Sequence, residues 1–105
     1  MTLRSEKISK QLQRVVAESL VEHLQADERL TVTRFVVTPD LRQARAWLHG
    51  WNQLTEGRQG YLQRELGRSV AKASQTKFTP RLIILDDDSG DYVTRIHRLL
   101  EGDTD

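Results

Sequence analysis

The sequence contains no cysteine and no long apolar run, and these two absences exclude several classes of protein. Without cysteine, the chain of 105 residues can form neither a disulfide nor a thiolate-ligated metal site. No stretch approaches the ~18 consecutive apolar residues of a membrane-spanning helix, so we expect no membrane partner. The residues from Met1 to Glu6 are not followed by an apolar run, which predicts that the chain has no signal peptide. These features are compatible with a cytoplasmic protein.

Catalytic motifs are also missing. The three histidines are isolated in sequence, and no Ser-His-Asp set or carboxylate pair has a supporting motif around it. The adjacent aspartates at 86–88 lack the spacing of an EF-hand loop and have no matching carboxylates elsewhere. We therefore predict a protein that is not an enzyme and holds no metal or cofactor. Residues that are isolated in sequence can converge in space, so an enzyme is the weakest alternative rather than an excluded one.

The charge of the chain is distributed unevenly. The length predicts one domain, residues 1–105, with a frayed tail at 102–105. The net charge is only +1, but residues 42–81 carry 8 basic and 2 acidic side chains, whereas residues 82–105 carry 2 basic and 7 acidic ones. A basic segment within a nearly neutral chain indicates a localised site for a polyanion such as nucleic acid. The alternative is a solvated surface that is lopsided by chance.

Hydrophobic periodicity predicts an α+β domain with the element order α-β-β-α-β-α. The predicted helices span residues 5–25, 60–73 and 92–101, and the predicted strands span residues 30–38, 43–49 and 81–86. Apolar residues do not alternate cleanly in the first strand, which indicates a bulge or burial on both faces. The segment between the second and third strands is long enough for a right-handed crossover, so we predict that these two strands are parallel neighbours in a three-stranded mixed sheet.

The second strand alternates between small apolar side chains and a basic-aromatic row. Ala44, Ala46 and Leu48 share one face, and the two alanines predict a helix packed closely against it. The opposite row can stack on bases or ribose, or it can be a surface row whose tryptophan covers a hydrophobic edge. The row consists of Arg45, Trp47 and His49.

A glycine-rich stretch, Gly57-Arg58-Gln59-Gly60, precedes the second helix. Two glycines three residues apart let a backbone approach another chain closely, and the N-terminus of a helix offers free N–H groups to a phosphate. Roughly 0.3 such matches are expected by chance, so the motif depends on its context. The helix that follows carries three cations at steps of four residues, which place them on one face, although such a face is often merely solvated. We predict that the loop and this helix grip an RNA backbone, using Arg42, Arg45, Gly57, Arg58, Gly60, Arg64, Arg68 and Lys72.

Four stretches in order, together with the order of the elements, resemble the bacterial ribosome-binding factor A family. The most specific runs from Val32 to Ala46 and contains an Asp-Leu-x-x-Ala step at 40–44. The others are 13–18 continuing to 27–30, 66–68 with 80–82, and 87–89 with 95–96. Together they cover most of the chain.

The resemblance implies a KH-like fold of the bacterial type (type II) and a monomeric, cytoplasmic factor without enzymatic activity. It implies binding to the rRNA of the small ribosomal subunit, and to neighbouring ribosomal proteins. It also implies a role in maturation near the decoding-site end of that rRNA and in growth in the cold. Two alternatives remain: a general single-stranded RNA-binding KH-like module, and a protein-interaction domain that uses an exposed sheet face.

The chain departs from the family pattern in two places. Family members carry an Ala-x-Gly kink before the second helix, where this chain has Arg58-Gln59-Gly60. They also carry a full helix between the second strand and the kink, where this chain has only about seven residues after Gly50. We therefore expect one helix to be absent or reduced to a turn.

Overall fold

A computed structural model describes residues 3–74 and 79–87, and within them the element order is the predicted one. Three strands and two α-helices follow one another, with a short 3-10 helix before α2. The predicted last helix, 92–101, lies outside the described residues. The elements are α1 (Leu3–His23), β1 (Thr31–Val37), β2 (Gln43–His49), the 3-10 helix (Trp51–Gln53), α2 (Glu56–Ala73) and β3 (Arg81–Asp86).

The sheet has the order β1-β2-β3, with β2 in the centre. β1 pairs with β2 in antiparallel fashion, and the register shifts between Val32 and Arg34, so the predicted irregularity is a bulge at Thr33. β2 and β3 run parallel, as the long connection between them predicted. The mixed α+β sheet with helices packed on it is therefore confirmed.

Both described helices pack on one face of the sheet. The buried positions of α1, Leu12, Val16 and Leu20, recur every four residues and form one apolar stripe. The alternation in β2 directs its small residues at this layer, since Ala44 and Ala46 are fully buried. The core also contains Phe35, Val37, Leu48, Leu62, Leu66, Val70 and Leu82.

The connection between β2 and α2 is short and tightly held. Gly50 has a φ of 93°, and a Cβ there would lie 2.6 Å from the backbone oxygen of Arg29. Such a φ is strained for other residues, and the contact leaves no room for a side chain. The backbone N–H of Asn52 donates to the carboxylate of Asp86 at 3.0 Å, which ties the 3-10 helix to the end of β3. The expected reduction of one helix to a turn is therefore confirmed.

The predicted start of α2 is wrong. The helix begins at Glu56, so the stretch from Gly57 to Gly60 forms its first helical residues and not a loop before it. Thr55 is the N-cap, and its hydroxyl accepts a hydrogen bond from the backbone N–H of Arg58 at 3.2 Å. This cap and the acidic Glu56 in the first turn stabilise the helix start enough to offset the low helix propensity of two glycines.

Candidate nucleic-acid interface

Arg58 is held inside the protein by an ion pair with Glu28. Its Nε and one terminal nitrogen donate to the two carboxylate oxygens of Glu28 at 2.8 and 2.7 Å. The same terminal nitrogen donates to the backbone oxygen of His23 at 2.9 Å, and the guanidinium lies 5.0 Å from the ring centroid of Tyr61. The Arg58 side chain is 22% exposed and that of Glu28 only 8%. The prediction of a cation at the exposed tip of a loop is therefore wrong.

The early start of α2 explains the position of Arg58. In a helix that begins at Glu56, Arg58 lies on the same side as Tyr61 and Glu65, and this side faces the end of α1. The hydrogen bond from Arg58 is the main reason why the pKa of Glu28 lies below its ordinary value. In turn, Glu28 raises the pKa of Arg58. The pair therefore links α1, the segment after it and α2.

The amides of the glycine-rich stretch are largely occupied within the chain. The N–H of Arg58 is capped by Thr55, and the N–H of Gln59 donates to the Thr55 backbone oxygen at 2.9 Å. What the glycines do provide is open surface. A Cβ added at Gly57 would meet nothing within 4 Å, and one at Gly60 would meet only a nitrogen of Arg64 at 3.7 Å. A partner could thus approach this side of α2 closely.

Three exposed cations of α2, which we call the helical surface, lie on the side away from the core. They are Arg64, Arg68 and Lys72, as their four-residue spacing predicted. The Arg68 side chain is 72% exposed, and it lies 3.6 Å from an oxygen of Glu65. Exposed pairs of this kind contribute little, so Arg68 is available to an anion from solution.

A second group of exposed cations lies on α1 and was not among the predicted site residues. The ring of His23 lies 5.9 Å from that of Tyr61, and the Ser69 hydroxyl donates to that of Ser19 at 2.7 Å. The two helices are therefore antiparallel, and Ser69, near the end of α2, lies beside Ser19 of α1. The exposed cations of α1 are Arg4, Lys7, Lys10 and Arg14. The sequence signal that could have identified them is their position off the apolar stripe of the helix.

The outward face of the sheet carries another basic cluster. The guanidinium of Arg34 stacks over the ring of Trp47, 4.9 Å from its centroid. Arg45 lies one step along β2 on the same face, next to Ile83 of β3, and Arg81 begins β3. All three arginines are exposed, whereas Trp47 is half-buried. We call this cluster of Arg34, Arg45, Trp47 and Arg81 the sheet surface.

The eight predicted site residues do not form one patch. Gly57 and Gly60 share the open side of α2 with the helical surface. Arg45 lies on the opposite side of the molecule, because it alternates with alanines that face the helices. Arg42 is exposed in the turn between β1 and β2, and Arg58 is held by Glu28. The basic segment of the sequence is therefore divided between two faces.

Within residues 3–74 and 79–87, no group of three or more potential ligands is arranged to hold a metal ion. Two of the adjacent aspartates take part in contacts that stabilise the fold. Asp86 accepts from the backbone of Asn52, and the carboxylate of Asp87 accepts from the hydroxyl of Thr33. No helix in this described part of the chain is long and apolar enough to span a bilayer.

Comparison with known proteins identifies relatives along almost the whole chain. The family described as Ribosome-binding factor A matches residues 4–100. The ribosome-binding factor A of Citrifermentans bemidjiense is 31% identical over 113 aligned residues, which cover 96% of this chain and 91% of the relative. That of a Geobacter species is 30% identical over the same shares of the two chains. The alignments are longer than this chain, so both relatives contain residues that it lacks.

A solved structure supports the fold. The NMR structure of a Thermotoga maritima protein described as a candidate ribosome binding factor A superposes with a TM-score of 0.64. The superposition covers 82% of this chain and 90% of that protein, at 14% sequence identity, which is evidence for the fold alone. From the family match and the two relatives together, we conclude that the chain belongs to the ribosome-binding factor A family.

Proposed function

We propose that this protein is a maturation factor that binds premature small ribosomal subunits through their rRNA and assists late rRNA processing and assembly. Membership of the family supports an association with the ribosome. The proposed binding to rRNA is supported by the helical surface, in which Arg64, Arg68 and Lys72 are exposed along one side of a continuous helix. Such a row of cations neutralises phosphates and releases their counterions.

The work of this surface is binding and selection of shape. Phosphate contacts position a protein on nucleic acid without reading its sequence, so specificity would come from the shape of the folded rRNA. Gly57 and Gly60 present no side chain on the same side of α2, which lets an RNA strand come close to the helix beside Arg64. Arg42 and Arg45 would contact RNA elsewhere on the protein. Arg58 is left out, because its guanidinium already binds Glu28.

The proposal is tested by measuring affinity for premature small subunits over a range of salt concentrations. We expect Arg64→Ala/Arg68→Ala/Lys72→Ala to weaken binding and to reduce the slope of log affinity against log salt by about 2, since three phosphate contacts are lost. The matched control, Arg64→Lys/Arg68→Lys/Lys72→Arg, keeps all three charges and should bind nearly as well as the wild type. A folded alanine variant with unchanged affinity and slope would contradict the proposal.

Competition separates a maturation factor from a general RNA-binding module. Premature subunits should displace the labelled protein at lower concentration than mature subunits or unstructured RNA. Equal displacement by all three would favour the general single-stranded RNA-binding module. A flat response to salt would favour the protein-interaction alternative.

We further propose that the protein acts as a cytoplasmic monomer and that cells lacking it grow more slowly in the cold.

A further inference from the structure

We propose that the sheet surface is a second RNA-binding surface, which takes a run of unpaired nucleotides by stacking bases on the Arg34–Trp47 pair and holding phosphates with Arg45 and Arg81. This inference goes beyond the proposed function, which gives Arg45 an RNA contact without naming its ligand, and it remains testable if the helical surface proves inactive. The two surfaces together would let one small protein bridge two segments of RNA.

The charge of this face is the first argument. The strand positions on the outward side of β1, β2 and β3 include three exposed arginines and no carboxylate. The acidic Asp86 alternates to the helix side together with Leu48, its register partner. Asp87, directly after β3, brings one carboxylate to the His49 end of the strands, where that carboxylate accepts from Thr33 and the Asp87 backbone oxygen lies 3.2 Å from Nδ1 of His49. The part of the face that holds Arg34, Arg45 and Arg81 is therefore complementary to a polyanion.

The arrangement of aromatic and apolar groups is the second argument. Register places Arg34, Trp47 and Leu85 side by side in one row across the sheet. The next row consists of Val36, Arg45 and Ile83. Neighbouring strands lie about 4.8 Å apart, so each row is a narrow platform on which a planar base can stack while its ribose contacts an aliphatic side chain. An arginine plane stacked on tryptophan accepts any base, because every base has a π-face.

These features favour single-stranded RNA over a protein partner. A protein interface of ordinary stability has a core depleted in charge, whereas each of these two rows contains an exposed arginine beside its apolar side chains. They also favour unpaired over paired RNA, since the bases of a duplex are already stacked on one another. The described helices α1 and α2 lie on the other face of the sheet, so an RNA bound to the helical surface does not occupy this one.

The test uses the full chain and a labelled oligouridylate of about eight nucleotides, within the site size of single-strand-binding folds. We expect Arg45→Ala/Arg81→Ala to lower the affinity at least about ten-fold. The matched control, Arg4→Ala/Arg14→Ala, removes the same number of exposed arginines from α1, on the opposite face of the sheet, and should change the affinity less than about two-fold. Equal losses in the two variants would overturn the proposal in favour of nonspecific attraction to any basic surface.

Stacking of bases on Trp47 can be measured separately by tryptophan fluorescence. The chain has two tryptophans, and Trp51 is buried in the core, so quenching by RNA should come from Trp47. We expect Trp47→Leu to abolish the quenching and weaken binding about ten-fold, and Trp47→Phe to retain most of the affinity. The absence of quenching in the wild type, or of oligouridylate binding altogether, overturns the proposal. The proposal is also overturned if a purified small-subunit protein binds this face in competition with the oligonucleotide.

Bridging is tested by adding the oligouridylate to a complex of the protein with premature subunits. Uptake without displacement of the protein supports two independent surfaces. Mutual displacement means that both RNAs use one surface and overturns the bridging role. Because the substituted arginines are exposed, both double variants should retain the circular dichroism spectrum of the wild type.

Discussion

Arg58 and Arg68 are the same residue type in the same helix, yet the protein uses them in opposite ways. Arg58 is held by two hydrogen bonds to Glu28 and one to the His23 backbone, and its side chain is 22% exposed. Arg68 is 72% exposed and has a single loose contact with Glu65. The arginine near the start of α2 therefore forms an ion pair that stabilises the fold, whereas the arginine nearer its end is exposed to solvent.

The difference shows that a count of basic residues overstates the charge available to a partner. Arg58 stands within the most basic segment of the sequence, but Glu28 neutralises it from 30 residues away. Arg68 remains available to a partner, because its contact with Glu65 is long and its side chain is 72% exposed. Substitutions of Arg58 should therefore affect mainly the stability of the fold, and substitutions of Arg68 mainly the binding of a partner.

The largest expected effect is the loss of stability in Arg58→Glu. The change removes the link between α1 and α2 and places two carboxylates together where Glu28 is only 8% exposed. We expect the melting temperature to fall several times more than in Arg68→Glu, measured by thermal denaturation. Affinity for premature subunits, measured on the folded fraction, should fall more in Arg68→Glu than in Arg58→Glu.

A reversed pair provides the control for this comparison. Combining Arg58→Glu with Glu28→Arg restores opposite charges at the same two positions and should recover part of the lost stability. If the double variant is no more stable than the sum of the single changes predicts, the ion pair does not account for the effect of Arg58→Glu.

A smaller effect is expected in the dependence of stability on pH. The pKa of Glu28 is lowered in the folded protein, chiefly by Arg58, so the pair contributes stability above the ordinary glutamate value of 4.5. This contribution is lost as the pH falls through the lowered folded value, when Glu28 takes up a proton. Urea denaturation should therefore show a large difference between the wild type and Arg58→Gln at pH 7 and a smaller one near pH 3.

The same comparison in Arg68→Gln should show no such convergence, because Arg68 is not among the causes of the lowered Glu28 pKa. Asp40, whose pKa is lowered mainly by the hydroxyl of Thr38, contributes equally to both variants and cancels. A gap between the wild type and Arg58→Gln that stays constant down to pH 3 would show that Arg58 stabilises the protein by some other means.

The smallest expected effect is a gain of stability in Gly67→Ala, beside the free end of the helix. A Cβ at Gly67 meets nothing within 4 Å, and alanine in a helix interior is more stable than glycine by about 0.5–1 kcal/mol. Thermal denaturation should show a modest rise in melting temperature. The contrasting change, Gly50→Ala, should destabilise the protein, since its φ is 93° and its Cβ would lie 2.6 Å from the Arg29 oxygen. A lower melting temperature for Gly67→Ala would show that this side of α2 is not open.

The sheet was predictable from the sequence because its signals are local. Alternation in β2 and the apolar run at 82–85 set the strand limits, and the long connection between them set the parallel pairing. The start of α2 was not predictable in the same way. Two glycines indicate a loop by propensity, and the weight of the Thr55 cap and of the contacts with α1 is visible only in the packed structure.

The candidate site was predictable only in part, for a related reason. Spacing places Arg64, Arg68 and Lys72 on one side of a helix, because that side follows from the helical repeat alone. It cannot show that Glu28 reaches Arg58, nor that Arg45 and the helical surface lie on opposite sides of the protein. Both facts depend on how separate elements pack, which no local pattern contains.

The alternation of β2 has a further consequence for the choice of a single folded state. Each outward side chain of this strand, Arg45 or Trp47, is one position away from a buried alanine. A shift in strand pairing by one residue would turn the guanidinium of Arg45 into the apolar layer and bring Ala44 and Ala46 out into water. Burial of an unpaired guanidinium carries a heavy penalty, so the slipped sheet is strongly disfavoured. The guanidinium of Arg45, which we propose binds RNA, thus also disfavours pairing of the strands out of register.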